Sequence, residues 1–248
     1  MHPHPHALAG VFVELSGGIE EESVDAGALL TLLAMRAGEL LAAEEDPAGC
    51  AATALLMADE EDRHEPPVVA GSDPEVQRLE EDAAARGEGP GHDSRRTGAP
   101  LRDAPLDGPI ARLRWPHYAP RCRALGYRRA AALPLRARGR TVGTLVVLRS
   151  DGDGPLRGDT LRLGQAMADM AGIALARERE VRRGLVRAEQ LQSALTSRIV
   201  IEQAKGVLAT RYAVPMEEAF ERLRRHARSN RRRLADVADD VVAGRLEV

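Results

Sequence analysis

Lys205 is the only lysine in this chain of 248 residues, and Asn230 is its only asparagine. Both fall near the C-terminal end, the first in SRIVIEQAKGVLATRY (197–212), the second in the arginine run that follows. From Arg224 to Arg233, six of ten residues are arginine and none is acidic. Guanidinium groups bind phosphate oxygens two at a time and stack on bases. A charge run is most simply a solvated face. The lack of acids in this one, and its place where two helical patterns meet, favour a nucleic-acid surface. Aromatic residues make up only 2% of the chain, so stacking platforms cannot carry recognition. The candidate contacts are Arg198, Gln203, Lys205, Gly206, Arg211, Arg228, Asn230, Arg231 and Arg232.

Charge is distributed accordingly. Residues 1–100 hold 6 arginines against 21 acidic residues, a balance of −15; residues 101–248 hold 29 basic against 17 acidic residues, a balance of +12. The net −3 conceals this split. Only the second part can attract a phosphate backbone.

Three helices would have to position those cations. Val200, Ala204, Val207, Leu208 and Arg211 share one helix face, and Arg198 and Lys205, seven apart, point the same way beside it. Gly206 in mid-helix costs on the order of 1 kcal/mol relative to alanine, so its use is close approach of a second helix or a ligand backbone. Pro215 opens the next helix, whose stripe is Met216, Phe220, Leu223 and Ala227, with Arg224 and Arg228 as a basic row alongside. A third, starting near Asn230, carries Leu234, Val237, Ala238, Val241 and Val242 and ends at Gly244.

The rest of the chain alternates elements. Residues 1–10, with His2, His4 and His6 between prolines, predict a mobile tail. Residues 24–43 predict an amphipathic helix, 50–58 a strand ended by the acidic turn 59–62, and 68–70 a second strand. Residues 73–85 predict a helix capped by Asp73 with Pro74 at its first position. Residues 86–110, rich in Gly, Pro and charge, predict an irregular loop. Residues 110–115 lead to a short helix over 121–125. A hairpin follows, with strands 129–135 and 141–148 and a turn at Arg138 and Gly139, and then a loop at 151–155. From Leu156 a long helix begins. Its first stripe, Leu163, Met167, Met170 and Ala174, would pack on the sheet. Its second, Val181, Leu185, Ala188, Leu191 and Leu195, is narrow and flanked by charge, which predicts a coiled coil between two copies, a homodimer.

Several classes are excluded by what is missing. Cys50 and Cys122 are far apart and form no CxxC pair, so no disulfide framework or zinc site is expected. No apolar run approaches the roughly 20 residues of a membrane span, and the N-terminus lacks a secretion-signal pattern; a soluble, cytoplasmic protein is expected. No nucleophile–base set, GxGxxG, phosphate-binding loop or HExxH is present, and no enzyme is expected.

Two resemblances can be placed on these residues. GEGP (87–90), RWPHY (114–118), LGYRRAAALPLRARGRTVGTLVVL (125–148) and LGQAMADMAGIAL (163–175) resemble GAF domains of actinobacterial regulators. The resemblance implies an antiparallel sheet flanked by helices, with a pocket that in many members takes a small-molecule ligand. The NKFDE pattern of cyclic-nucleotide binders is absent, neither cysteine sits in a bilin-attachment context, and His64, His92 and His117 are haem-ligand candidates by type alone; no cofactor is assigned. SRIVIEQAKGVLATRY and MEEAFERLRRHARSNRRRLADVADDVV (216–242) closely resemble an ANTAR domain. That implies a three-helix module that binds paired hairpins in nascent leader RNA and prevents a terminator from forming. The family's AKG core falls on Ala204, Lys205 and Gly206, its preceding arginine on Arg198, and its later polar-basic-leucine pattern on Asn230, Arg231 and Leu234. The chain departs at residues 209–210, where Met and a charged residue are commoner, and at Arg233 in place of a frequent Lys.

The expected architecture is therefore α+β. It comprises a tail (1–10), a GAF-like sensor with an antiparallel sheet flanked by helices (11–180), a coiled-coil linker helix (181–196) and an all-α, three-helix ANTAR-like RNA-binding domain (197–248). The alternative is a helix-turn-helix regulator that binds duplex DNA with the same basic end.

Overall fold

The computed structural model describes residues 5–15, 25–42, 49–56, 67–150 and 158–246. The acidic turn at 59–62, the loop at 151–155 and His64 lie outside them. The elements run α1 (Pro5–Leu15), α2 (Ala26–Leu41), β1 (Cys50–Leu56), β2 (Val68–Gly71), α3 (Pro74–Arg86), α4 (Pro90–Thr97), β3 (Leu101–Pro105), α5 (Pro109–Arg114), α6 (Tyr118–Ala124), β4 (Arg129–Ala137), β5 (Arg140–Arg149), α7 (Gly158–Tyr212), α8 (Met216–Ser229) and α9 (Leu234–Val242). The chain divides into two compact units, Met1–Glu180 and Val181–Val248.

The first unit is built on a five-stranded antiparallel sheet in the order β2-β1-β5-β4-β3. Its central strands are apolar on both faces, which is why TVGTLVVL shows no alternation. Ala52, Ala54, Ala131, Leu133, Leu145 and Val147 point into one core, with α1, α2 and the first part of α7. Ala51, Ala130, Ala132, Val146 and Leu148 point into a second, with α3, α5 and α6. The hairpin turns where expected: Arg138 (φ 51°) and Gly139 (φ 76°) are both left-handed, as a two-residue turn matched to strand twist requires. Asp73 caps α3, its carboxylate accepting the N–H groups of Glu75 and Val76 at 2.9 Å.

Four expectations are corrected. The predicted tail becomes helix from Pro5 onward: proline is preorganised for a first helical turn, and the face of α1 beyond it buries Val11 and Leu15. Residues 86–110 are not irregular but hold α4, β3 and the start of α5. Pro90 and Pro109 open helices instead of breaking them, and Gly98 (φ 66°) closes α4. On α7 the buried face is Gly164, Met167, Ala168, Ala171, Gly172 and Leu175, rotated from the predicted Leu–Met stripe. The smaller residues win because the helix backbone lies against β4: a Cβ on Gly172 would stand 2.7 Å from the Arg136 carbonyl oxygen. Finally, the third C-terminal helix starts at Leu234, and Asn230 belongs to the end of α8.

In the second unit, Ala204 and Leu208 of α7, Ala219, Leu223 and Ala227 of α8, and Val237, Ala238 and Val241 of α9 close a small core. Met216 and Val242, assigned to the core stripes by spacing, are about 40% exposed at the core's edge. α7 ends through Ala213 in the left-handed region (φ 51°), so that the Val214 N–H reaches the Ala209 carbonyl at 3.1 Å. An alanine in that conformation costs about 1 kcal/mol that glycine would not. Ala213→Gly should therefore slow hydrogen exchange at the slowest amides of α8 and α9 roughly fivefold, the factor equivalent to about 1 kcal/mol. Unchanged or faster exchange would refute the strain at this residue.

Candidate functional site

The cationic candidates fall into two groups within the second unit. On α7, Arg198, Gln203 and Arg211 are exposed. Lys205 is not a free projecting charge. Its Nζ donates to both oxygens of Glu202, at 2.9 and 3.0 Å, lies 5.8 Å from the centre of the Phe220 ring, and its side chain is only 18% exposed. Next to it, a Cβ on Gly206 would meet nothing within 4 Å. The close helix contact that Gly206 could serve is absent among the described residues, so the glycine leaves a strip of bare helix backbone beside the lysine.

The second group is the α8–α9 turn. Asn230 is the C-cap of α8, its Nδ2 donating to the His226 carbonyl (3.0 Å) and the Ser229 hydroxyl (3.2 Å). Arg231 is left-handed (φ 52°), and the Arg232 N–H closes the turn on the Ala227 carbonyl at 2.9 Å. This geometry pushes consecutive arginines outward from the helix end. The run contains no acid, yet acids from elsewhere reach it. Arg232 pairs with Asp240 at 2.5 Å, and Arg224 with Glu221 at 3.4 Å. Hydrogen bonds from Arg232 and Arg245 hold the Asp240 carboxyl below its ordinary range. Among the described residues Arg198, Arg225, Arg228, Arg231 and Arg233 have no ion-pair partner, and all are exposed. Arg225 and Arg233 therefore join the candidates. They stand in the run the sequence displays, but only the turn shows that they are unpaired.

The first unit holds a second constellation, and RWPHY is half of it. Arg114 pairs with Asp93 at 2.7 Å, and the Trp115 Nε1 donates to the same carboxylate at 2.8 Å. The His117 Nδ1 lies 2.9 Å from one Glu88 oxygen, while the N–H groups of His117 and Tyr118 both donate to the other at 2.7 Å. The Tyr118 hydroxyl donates to Glu80 at 2.6 Å. Three carboxylates of residues 80–93 are thus clasped by four of the five residues 114–118. Burial pushes the Glu88 carboxyl up, but the Tyr118 N–H and the His117 ring and N–H outweigh it and hold it below its ordinary range. Glu80 is different. It is 2% exposed, and burial, only partly offset by the Tyr118 hydroxyl, raises its pKa from 4.5 to about 7. Sequence reasoning passes over it. The signal was its spacing, because Glu80 shares a helix face with Val76, Leu79 and Ala83.

Of the histidines weighed as haem ligands, His117 is engaged with Glu88, and His92 is half-buried on α4 with Arg95 at 3.5 Å. No group of three or more His, Cys, Asp or Glu among the described residues could hold a metal ion. Cys50 and Cys122 are not joined in a disulfide, and burial pushes the thiol of Cys122 well up. No described helix is long and apolar enough to cross a membrane.

Compared with known proteins, residues 25–175 match the model of the GAF domain family, and residues 189–242 match that of the ANTAR domain. No curated protein matches the chain.

Proposed function

The chain belongs to the GAF domain family and carries a C-terminal ANTAR domain, an RNA-binding antitermination module, and on that premise we propose that it is a signal-dependent antiterminator binding paired hairpins in nascent leader RNA. The observation that carries this reading is the cluster of unpaired guanidiniums at the α8–α9 turn, Arg225, Arg228, Arg231 and Arg233, within one small unit that also contains Lys205 beside the bare backbone at Gly206. Such a surface contacts phosphates and carries no chemistry of bond cleavage. Its action is stoichiometric binding.

Two copies act together. Val181, Leu185, Leu191 and Leu195 are 51–72% exposed along the middle of α7, an apolar stripe suited to a second α7. A signal received by the GAF domain changes the pairing of these stripes, and so whether two ANTAR domains engage two hairpins at once. Whether ligand, redox change or partner, the signal acts through that pairing; no small molecule is assigned.

Lys205→Ala should lower affinity for a single RNA hairpin about tenfold and leave the fold intact by circular dichroism. It should also reduce the slope of log affinity against log salt by about 1, as the loss of one phosphate contact requires. Filter binding at several salt concentrations measures both. Unchanged affinity would remove Lys205 from the interface, and a duplex DNA that outcompetes the hairpin would support the helix-turn-helix alternative.

A further inference from the structure

Among the described residues, Glu80 is a carboxyl without a counter-charge. It points from the apolar face of α3 into the second core, and its one hydrogen bond among the described residues is from the Tyr118 hydroxyl to Oε1 at 2.6 Å. Its other oxygen lies under α4. Oε2 is 3.6 Å, and the Thr144 hydroxyl 3.2 Å, from the point where a Cβ on Gly91 would stand. The two atoms share the space that glycine leaves. Among the described residues, the Thr144 hydroxyl is buried without a partner, as is that of Thr53 on the neighbouring strand. The register sets Thr53 opposite Val146 and Leu55 opposite Thr144, so both hydroxyls lie on the face that α4 covers. The groups facing Glu80 are Tyr118 and Cys122 from α6, Thr144 from β5 and the backbone of Gly91 from α4. None is a cation.

We propose that Glu80 is a proton sensor: protonated, it lets α4 and α6 close on the sheet, and ionised, it loosens both. The neutral acid needs no counter-charge. It accepts from Tyr118 at Oε1 and keeps its proton, so no net charge is buried. The carboxylate has one hydroxyl donor and no compensating charge, and a buried ion in that condition must reach water or displace its cover. The cover consists of short helices. α4 has eight residues and no side-chain cap at its N-terminus, and α6 has seven. Burial places the titration of Glu80 at about 7, so the change falls in the neutral range where an ordinary carboxyl is inert. The proposal concerns the GAF domain alone and holds whether or not the C-terminal helices bind RNA.

Trp115 is the only tryptophan, and it reports on this cover. It is 2% exposed, its Nε1 is bound to Asp93 on α4, and its ring stands edge-on to Tyr118 at 6.4 Å. Emission from the full chain, titrated from about pH 5.5 to 8.5, should shift to the red with a midpoint near 7. Glu80→Gln should hold the blue emission throughout. Tyr118→Phe removes the hydroxyl that favours the charged form and should move the midpoint up by about half a unit or more. His117→Gln and His92→Gln, removing the nearby imidazoles, should leave the midpoint in place. A flat trace in the unaltered chain, a transition that survives Glu80→Gln, or a midpoint that follows either histidine would overturn the proposal. If Glu80→Gln fails to fold by circular dichroism, Tyr118→Phe decides, and an unmoved midpoint there is equally fatal.

Discussion

Replacing Leu185 and Leu195 together by serine should lower the affinity of the full chain for an RNA carrying two hairpins by on the order of 100-fold, and leave its affinity for a single hairpin unchanged. The argument is one of effective concentration. When two modules are held on one body, the second contact forms within the complex already made, and avidity exceeds single-site affinity by roughly 10²–10⁴ with no new contact. Leu185 and Leu195 are 61% and 54% exposed and lie outside the cores of both units. Their loss should therefore remove the proposed pairing without touching the packing of either core. Sedimentation should show the variant as a monomer where the unaltered chain is a dimer. An equal loss on one hairpin and on two would mean that these leucines support the RNA surface itself, and the pairing mechanism would fail.

What could be seen in the sequence follows from where each signal resides. The hairpin at Arg138–Gly139, the Asp73–Pro74 start of α3 and the three C-terminal helices are specified by residues within a few positions of one another, so periodicity and cap chemistry suffice. Residues 86–110 are specified elsewhere. α4 and α5 are eight and six residues long, too short to persist on propensity alone. They are held by distant partners: Trp115 on Asp93, and Arg136, whose guanidinium donates to the Gly98 carbonyl at 3.1 Å. The same distinction governs the candidate site. The Glu202–Lys205 pair is three residues apart and readable from spacing. The Phe220 ring over which Lys205 lies, and Asp240, which takes Arg232, come from other helices. RWPHY is legible as a string resembling a family, but its work, holding Glu80, Glu88 and Asp93, depends on contacts 21 to 38 residues away.

Glu80→Gln should stabilise the GAF domain at pH 8 by about 3 kcal/mol relative to the unaltered chain, and by far less at pH 5. The sign follows from where the proton goes. Below about 4.5, the ordinary value, Glu80 is protonated in both folded and unfolded chains; between 4.5 and about 7 the unfolded chain releases a proton that the folded one keeps. Stability therefore falls as pH rises through that window, and is level again above it. Glu88 acts in the opposite sense. Its folded pKa lies below the ordinary value, so its stabilisation is present above that value and is lost toward acid. Together the two carboxyls contribute most near 4.5, where the Glu88 window ends and the Glu80 window begins. A glutamine at 80 keeps the acceptor for Tyr118 and cannot ionise, so the decline between 4.5 and 7 should vanish. The difference corresponds to a rise in melting temperature of about 8 °C at pH 8 for a unit of this size, read from Trp115 emission. Parallel curves for the two proteins across that window would show that the buried carboxyl already finds its counter-charge when folded, and would remove the physical basis for a proton acting at this site.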